Sequence, residues 1–186
     1  MSQILEKDKL ESRTYQEVIA ASASDKNTLV VLPTGLGKTI IALMVASMKA
    51  EEGKILFMAP TRPLVEQHKK TFEDLLKIPE VDLQMMTGST PPDQRYKLWK
   101  EKRIFFGTPQ VVENDLISGE VPTKEFSLLI FDEAHRATGD YSYVFISEKM
   151  NCQKLALTAS PGGDKEKIIE VSENLELDNF EVRTED

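Results

Sequence analysis

The amino-acid sequence predicts an α/β fold: one domain built on a mainly parallel sheet with helices on both faces. Three observations lead there. Short apolar runs rich in Val, Ile and Phe alternate with amphipathic stretches, the pattern of strand–helix–strand units that bury a sheet on both sides. Polar punctuation follows each run, as "PTGLGKT", "APTRP", "TGST", "GTPQ", "DEAH" and "TASPGG", and in such sheets ligands gather at the carboxyl ends of the strands. A length of 186 residues with 40% hydrophobic content suits one core and would be cramped for two. With no internal repeat and no low-complexity linker, residues 1–186 read as a single domain.

In chain order, the first strand is "TLVVLP" (28–33), whose β-branched residues suit a sheet interior. The helix over 37–52 contains the longest apolar run, Ile40 to Ala46, far short of the roughly 20 residues that span a bilayer. The run "KILFMAP" (54–60) is the second strand, followed by a helix over 61–77; "LQMMT" (83–87) is the third, followed by a helix over 91–101. "RIFFGT" (103–108) and a helix over 109–118 come next, then "LLIFDE" (128–133) and "KLALTAS" (154–160).

A single cysteine, Cys152, cannot form an internal disulfide, and the start "MSQILEKDKLESR" is charged throughout. A reducing, intracellular (cytoplasmic) setting without membrane contact is expected. The net charge of −8 argues against a nucleic-acid partner. Eight of the acids crowd the segment from Glu166 onward, however, so the middle of the chain is nearly balanced.

The stretch "VVLPTGLGKTI" raises a sharper question. Counted back from Gly37-Lys38-Thr39, the phosphate-loop pattern wants a glycine where this chain has Leu32. The remaining parts are present: Gly35 and Gly37 for close backbone approach, Lys38 for the β/γ-phosphates, Thr39 for Mg²⁺. Pro33 can hold an extended turn at the strand exit, and the following helix points its positive end at the loop. The bland alternative is a glycine-rich turn with a solvated lysine. "LLIFDEAH" answers it, because an apolar strand ending in two carboxylates supplies a metal-side acid, Asp132, and a base for an attacking water, Glu133. Alone, the tetrapeptide could equally be acids at a helix start.

Taken in order, "SRTYQ", "VLPTGLGKT", "APTRPLVEQH", "GTPQVVENDL", "FDEAHRATGDYSYV" and "LTASPGG" resemble the first RecA-like motor domain of superfamily 2 DEAH-box helicases and translocases, a P-loop NTPase fold. Within that family they are most similar to the archaeal helicase-nuclease for forked DNA and the Fanconi anaemia group M translocase. The resemblance implies ATP and Mg²⁺ as cofactors and a role on forked or branched DNA in replication-fork repair. It places Arg13, Tyr15 and Gln16 at adenine, Thr34, Gly35, Leu36, Gly37, Lys38 and Thr39 around the phosphates, and Thr39 and Asp132 beside the metal. Glu133, Asp132 and Lys38 become the catalytic set. His135, Thr158 and Ser160 couple the nucleotide to the nucleic-acid face, and Thr61, Arg62, Gly88 and Thr108 grip nucleic acid.

Chemistry alone leaves alternatives beside these roles. Gln16 can be a surface helix residue, and the hydroxyls of Thr158 and Ser160 can cap a strand end. The nucleic-acid candidates can be structural turns. "RYKLWKEKR" (95–103) offers Arg95, Lys97, Lys100, Lys102 and Arg103 around Tyr96 and Trp99; core packing behind a solvated basic face is favoured over a stacking surface. His68 reads as structural, and neither histidine suggests zinc.

Nothing after "TASPGG" resembles the second RecA-like domain that completes the ATP site in such motors, and no nuclease signature is present. The chain therefore reads as a first motor domain whose partner is a second RecA-like domain of the same protein. Two other readings remain: the motor of a double-stranded-RNA-dependent ATPase of the sensor or dicer type, and a nucleotide-binding switch without turnover.

Overall fold

The computed structural model describes residues 4–79, 82–159 and 165–184. Among them, seven strands form one sheet: β1 (Thr28–Val31), β2 (Lys54–Met58), β3 (Leu83–Met86), β4 (Ile104–Gly107), β5 (Phe126–Phe131), β6 (Gln153–Thr158) and β7 (Asn179–Val182). Their spatial order is β3-β4-β2-β5-β6-β1-β7, and every pairing is parallel. Parallel neighbours need crossovers. These are supplied by α2 (Lys38–Lys49), α3 (Arg62–Leu75), α4 (Pro92–Glu101), α5 (Pro109–Ile117), α6 (Ser142–Lys149) and α7 (Lys165–Asn174), with α1 (Thr14–Ala23) ahead of β1.

The strands read as unbroken apolar runs because both of their faces are buried. Side chains alternate across a strand. Val30, Ile55, Phe57, Ile104, Phe106, Leu128, Ile130, Leu155 and Leu157 accordingly enter one core, against α1, α2 and α3. Leu29, Val31, Leu56, Met58, Phe105, Leu129, Phe131 and Ala156 enter the other, where Trp99 of α4, Val112 of α5, Tyr143 and Ile146 of α6 and Val171 of α7 close over them. β7 does not follow this rule: its residues alternate between half-buried and exposed, and it pairs on the outer side of β1. The sequence patterns had not singled it out as a strand.

Sheet order positions the motifs. β6 lies between β1 and β5, so the residue ending β6, Thr158, falls between the phosphate loop after β1 and the acids after β5. None of the described helices is long and apolar enough to cross a membrane. Ser160, the other hydroxyl assigned to coupling, lies outside the described residues.

Candidate nucleotide and nucleic-acid sites

The loop after β1 explains why leucine stands where a first glycine was expected. Leu32 still behaves as strand: its N–H donates to the Thr158 carbonyl at 3.1 Å, and its side chain is fully buried in the core. Among the described residues only Glu133 and Glu176 combine a side chain with positive φ, so Leu32 has no conformational need for glycine. Gly35 and Gly37 do, with φ of 90° and 83°. At Gly37 a Cβ would also meet the Gln16 side-chain nitrogen at 2.1 Å. Helix α2 begins directly after it, aiming its open first-turn N–H groups and positive dipole end toward the loop.

Lys38 folds back over this loop and donates from Nζ to the Leu32 carbonyl at 2.8 Å. Partial burial lowers its pKa from the ordinary lysine value, while the charges of Asp132 and Glu133 oppose that shift. The ammonium thus lies within the field of both acids. Its two remaining hydrogens are enough for a phosphate oxygen.

Helix α1 is fastened to the same loop. The Gln16 side chain accepts from the Arg13 N–H at 2.8 Å and donates to the Leu36 carbonyl at 3.0 Å, and the Tyr15 hydroxyl donates to that carbonyl at 2.7 Å. The Arg183 guanidinium sits 5.4 Å above the Tyr15 ring, within cation–π range. Gln16, nearly buried, therefore acts on the loop through both ends of its amide. Each amide atom keeps a second hydrogen or lone pair for an adenine edge.

The acids emerge from β5. Asp132 is buried, its N–H donates to the Met58 carbonyl at 2.9 Å, and the Tyr143 hydroxyl donates to its backbone oxygen at 2.7 Å. Glu133 then turns into the left-handed region at φ 53°, a conformation uncommon for a residue with a side chain. This turn leads into the 3-10 segment Ala134–Arg136. His135 faces both ways, with Nε2 3.5 Å from a Glu133 carboxylate oxygen and Nδ1 3.1 Å from the Thr158 hydroxyl. The acid, the histidine and the strand-end threonine assigned to coupling are thus physically linked.

His68, read from the sequence as structural, belongs to this centre. It projects from α3 beside Val65 and Phe72, is nearly buried and stacks on Phe57 at 4.4 Å. Its Nδ1 lies 3.3 Å from the Thr39 hydroxyl and its Nε2 2.8 Å from Asp132 Oδ2. A signal was present in the sequence: a polar ring shares helical spacing with Val65 and Phe72, on the face that packs inward.

The four nucleic-acid candidates gather elsewhere on the same carboxyl edge. Arg62, Gly88 and Thr108 help line a cavity of about 220 Å³ beyond β2, β3 and β4. Thr61 and Thr108 precede α3 and α5, and neither side chain caps its own helix. First-turn N–H groups there suit phosphate oxygens. Arg62 itself reaches Glu66 at 3.1 Å and the Ser89 hydroxyl at 3.5 Å. The basic segment divides differently from the expectation. Trp99 is fully buried and Arg95 nearly so, which removes Arg95 from any solvated basic face, while Lys97 and Lys100 stay exposed.

The donor set fits a nucleotide with a hard divalent ion. Thr39 and Asp132 offer oxygens bridged by one histidine, and no cluster of three or more His, Cys, Asp or Glu able to hold a metal occurs among the described residues. Mg²⁺ is commonly held in this way, by one or two protein oxygens with phosphate and water completing the shell.

Comparison with known proteins places this geometry in a family. The profile of the DEAD/DEAH box helicases matches residues 13–168. A Methanocaldococcus jannaschii protein, provisionally named an ATP-dependent RNA helicase, is 50% identical over 95% of this chain and 23% of its own length. The Drosophila melanogaster DEAD-box ATP-dependent DNA helicase Fancm is 43% identical over 92% of this chain and 12% of its own. The solved Pyrococcus furiosus Hef helicase domain superposes with a TM-score of 0.94 at 44% identity, over 97% of this chain and 40% of that one. The chain thus spans less than a quarter of the length of these two relatives. With the family profile covering most of the chain and a phosphate loop, DEAH acids and a strand-end threonine brought together on one sheet edge, the chain belongs to the DEAD/DEAH box helicase family.

Proposed function

We propose that this chain is the ATP-binding motor domain of a helicase or translocase that uses ATP hydrolysis to act on forked or branched DNA in replication-fork repair. A second RecA-like domain of the same protein completes its site, and it works inside the cell. The observation that carries the reading is the continuous link from Glu133 through His135 to Thr158, on the edge that also presents the Arg62–Gly88–Thr108 cavity. A change at the γ-phosphate would thereby be passed from the Glu133 carboxylate to the end of β6, on the same carboxyl edge as that cavity, which lies on the other side of β5.

Each residue has a task in this reading. Gln16 and Tyr15 hold the loop in shape at the adenine end, together with Arg13. The loop N–H groups and Lys38 neutralise phosphate oxygens. Thr39 and Asp132 present oxygens to Mg²⁺, which supplies further neutralisation of the phosphates when bound. Glu133 orients a water in line with the γ-phosphorus and accepts its proton, giving ADP and phosphate. Thr61, Arg62, Gly88 and Thr108 contact phosphates, which carry no sequence information, as a motor requires.

DNA as the substrate is supported by similarity to relatives named DNA helicases; its forked or branched form rests on the motif resemblance. A duplex-RNA-dependent ATPase is the second reading, favoured by the RNA helicase name of the Methanocaldococcus relative. ATPase assays of the intact protein with single-stranded, duplex and forked DNA and with duplex RNA separate them. We expect forked DNA to stimulate most; stimulation by duplex RNA alone would transfer the assignment to RNA.

A further inference from the structure

We propose that His68 is a positioning residue for the metal side of the nucleotide site, one imidazole orienting both Thr39 and Asp132 so that a divalent ion can add its full increment to nucleotide affinity. The proposal rests on the nucleotide-binding reading above. It concerns the last residue of "APTRPLVEQH", to which the sequence assigned no site role.

The hydrogen-bond chemistry sets the direction of the chain. The ionised Asp132 carboxylate only accepts, so the 2.8 Å contact puts the hydrogen on His68 Nε2. In the neutral ring Nδ1 is then bare, and the Thr39 hydroxyl 3.3 Å away donates to it. With its hydrogen directed at the ring, the Thr39 oxygen is left with lone pairs for a cation. Asp132 keeps Oδ1 and the second lone pair of Oδ2, with which it would help to hold a divalent ion.

The ring is itself held firmly. It stacks on Phe57 at 4.4 Å and an interplanar angle of 23°, is 6% exposed and stands on the face of α3 that carries Val65 and Phe72 into the core. Groups that orient metal-binding side chains typically change metal affinity about 10- to 100-fold when removed. The topology is also apt. Thr39 follows β1, Asp132 follows β5, and the helix bearing His68 follows β2, so a single ring ties three segments of the carboxyl edge together.

The test measures ADP affinity of the chain by calorimetry, once with Mg²⁺ and once with EDTA. For His68→Ala we expect the Mg²⁺-dependent gain to shrink about tenfold or more while the EDTA value holds. For His68→Gln, whose amide can still donate to Asp132, part of the gain should return. Equal weakening with and without Mg²⁺ would mean a merely structural histidine and overturn the proposal, as would an unchanged gain. Should His68→Ala fail to fold, the wild-type ring decides: long-range ¹H–¹⁵N NMR should find the hydrogen on Nε2, and an Nδ1–H tautomer sinks the idea. An unaltered chain that binds no ADP under either condition would instead refute the nucleotide-binding reading, and the proposal with it.

Discussion

At the residue scale, the two charged side chains proposed to act on the phosphates, Lys38 and Glu133, should separate binding from turnover. Lys38 is partly desolvated, and burial lowers its pKa, so its ammonium is held at some cost to the fold and is not a stabilising element. Lys38→Ala should leave the melting temperature close to wild type. It should weaken ATP binding with Mg²⁺ about 10- to 100-fold, the worth of a charge-assisted hydrogen bond of about 1.5–3 kcal/mol. Calorimetry checks this, and undiminished affinity would remove the phosphate-loop assignment. Glu133 sits in a left-handed turn at φ 53°. Glutamine keeps the shape and tolerates that backbone as glutamate does, yet cannot accept a proton. Glu133→Gln in the intact protein should therefore bind nucleotide normally and lose about 10²- to 10⁴-fold in turnover; near-normal phosphate release would dismiss Glu133 as the base.

At the scale of elements, α4 and α5 are locked by a buried ion pair that the sequence disguised. Arg95 of α4 donates to both oxygens of Asp115 on α5 at 2.9 and 2.7 Å, and the Trp99 indole N–H donates to the same carboxylate at 2.8 Å. The Arg95 side chain is 8% exposed and that of Asp115 1%. Removing one partner of such a pair leaves an uncompensated charge, so Asp115→Ala should cost about 3–5 kcal/mol, read as a lower urea midpoint; a shift near zero would show the pair to be solvated. "RYKLWKEKR" gave no hint of this lock, because its partner lies on the next helix, across β4. The central strands and the helices that cross between them were legible for the opposite reason: "TLVV", "ILFM", "IFFG", "LLIF" and "LALT" are buried on both faces, and such runs stand out by composition alone. β7 alternates in burial and leaves Phe180 half exposed, so it resembled a tail. The phosphate loop and DEAH acids were readable as local patterns. His68 was legible only as a polar ring on the inward face of α3; its partners depend on the strand order that brings the ends of β1 and β5 within reach of α3.

At the scale of the whole molecule, the question is what this domain achieves alone. In-line attack on the γ-phosphate spreads negative charge over oxygens that Lys38, in its proposed role, would neutralise only in part, and in related phosphate-loop enzymes an arginine finger contributes about 10³ to 10⁵ in rate. The chain has six arginines, and their places argue against a finger in cis. Arg62 pairs with Glu66 at the cavity it lines with Gly88 and Thr108, Arg95 is spent on Asp115, and Arg103 reaches the Ala50 carbonyl and Asp82. Arg136 interacts with Tyr141. Arg13 stands exposed at the N-cap position of α1, and Arg183 lies over the Tyr15 ring. None of the described contacts brings an arginine to the phosphate end of the loop, so the finger is assigned to the proposed second RecA-like domain. DNA does not offset this lack. With half a cleft and a net charge of −8, binding should be weak and strongly salt-dependent, giving little energy with which to reorder the site. We therefore expect the 186-residue chain to bind ATP yet hydrolyse it hardly above background, with or without forked DNA. The intact protein should turn over and respond to DNA. Phosphate release measured for both, each with and without forked DNA, is the check: robust DNA-stimulated turnover by the chain alone would mean that one domain holds the complete site, and the two-domain motor would have to be abandoned.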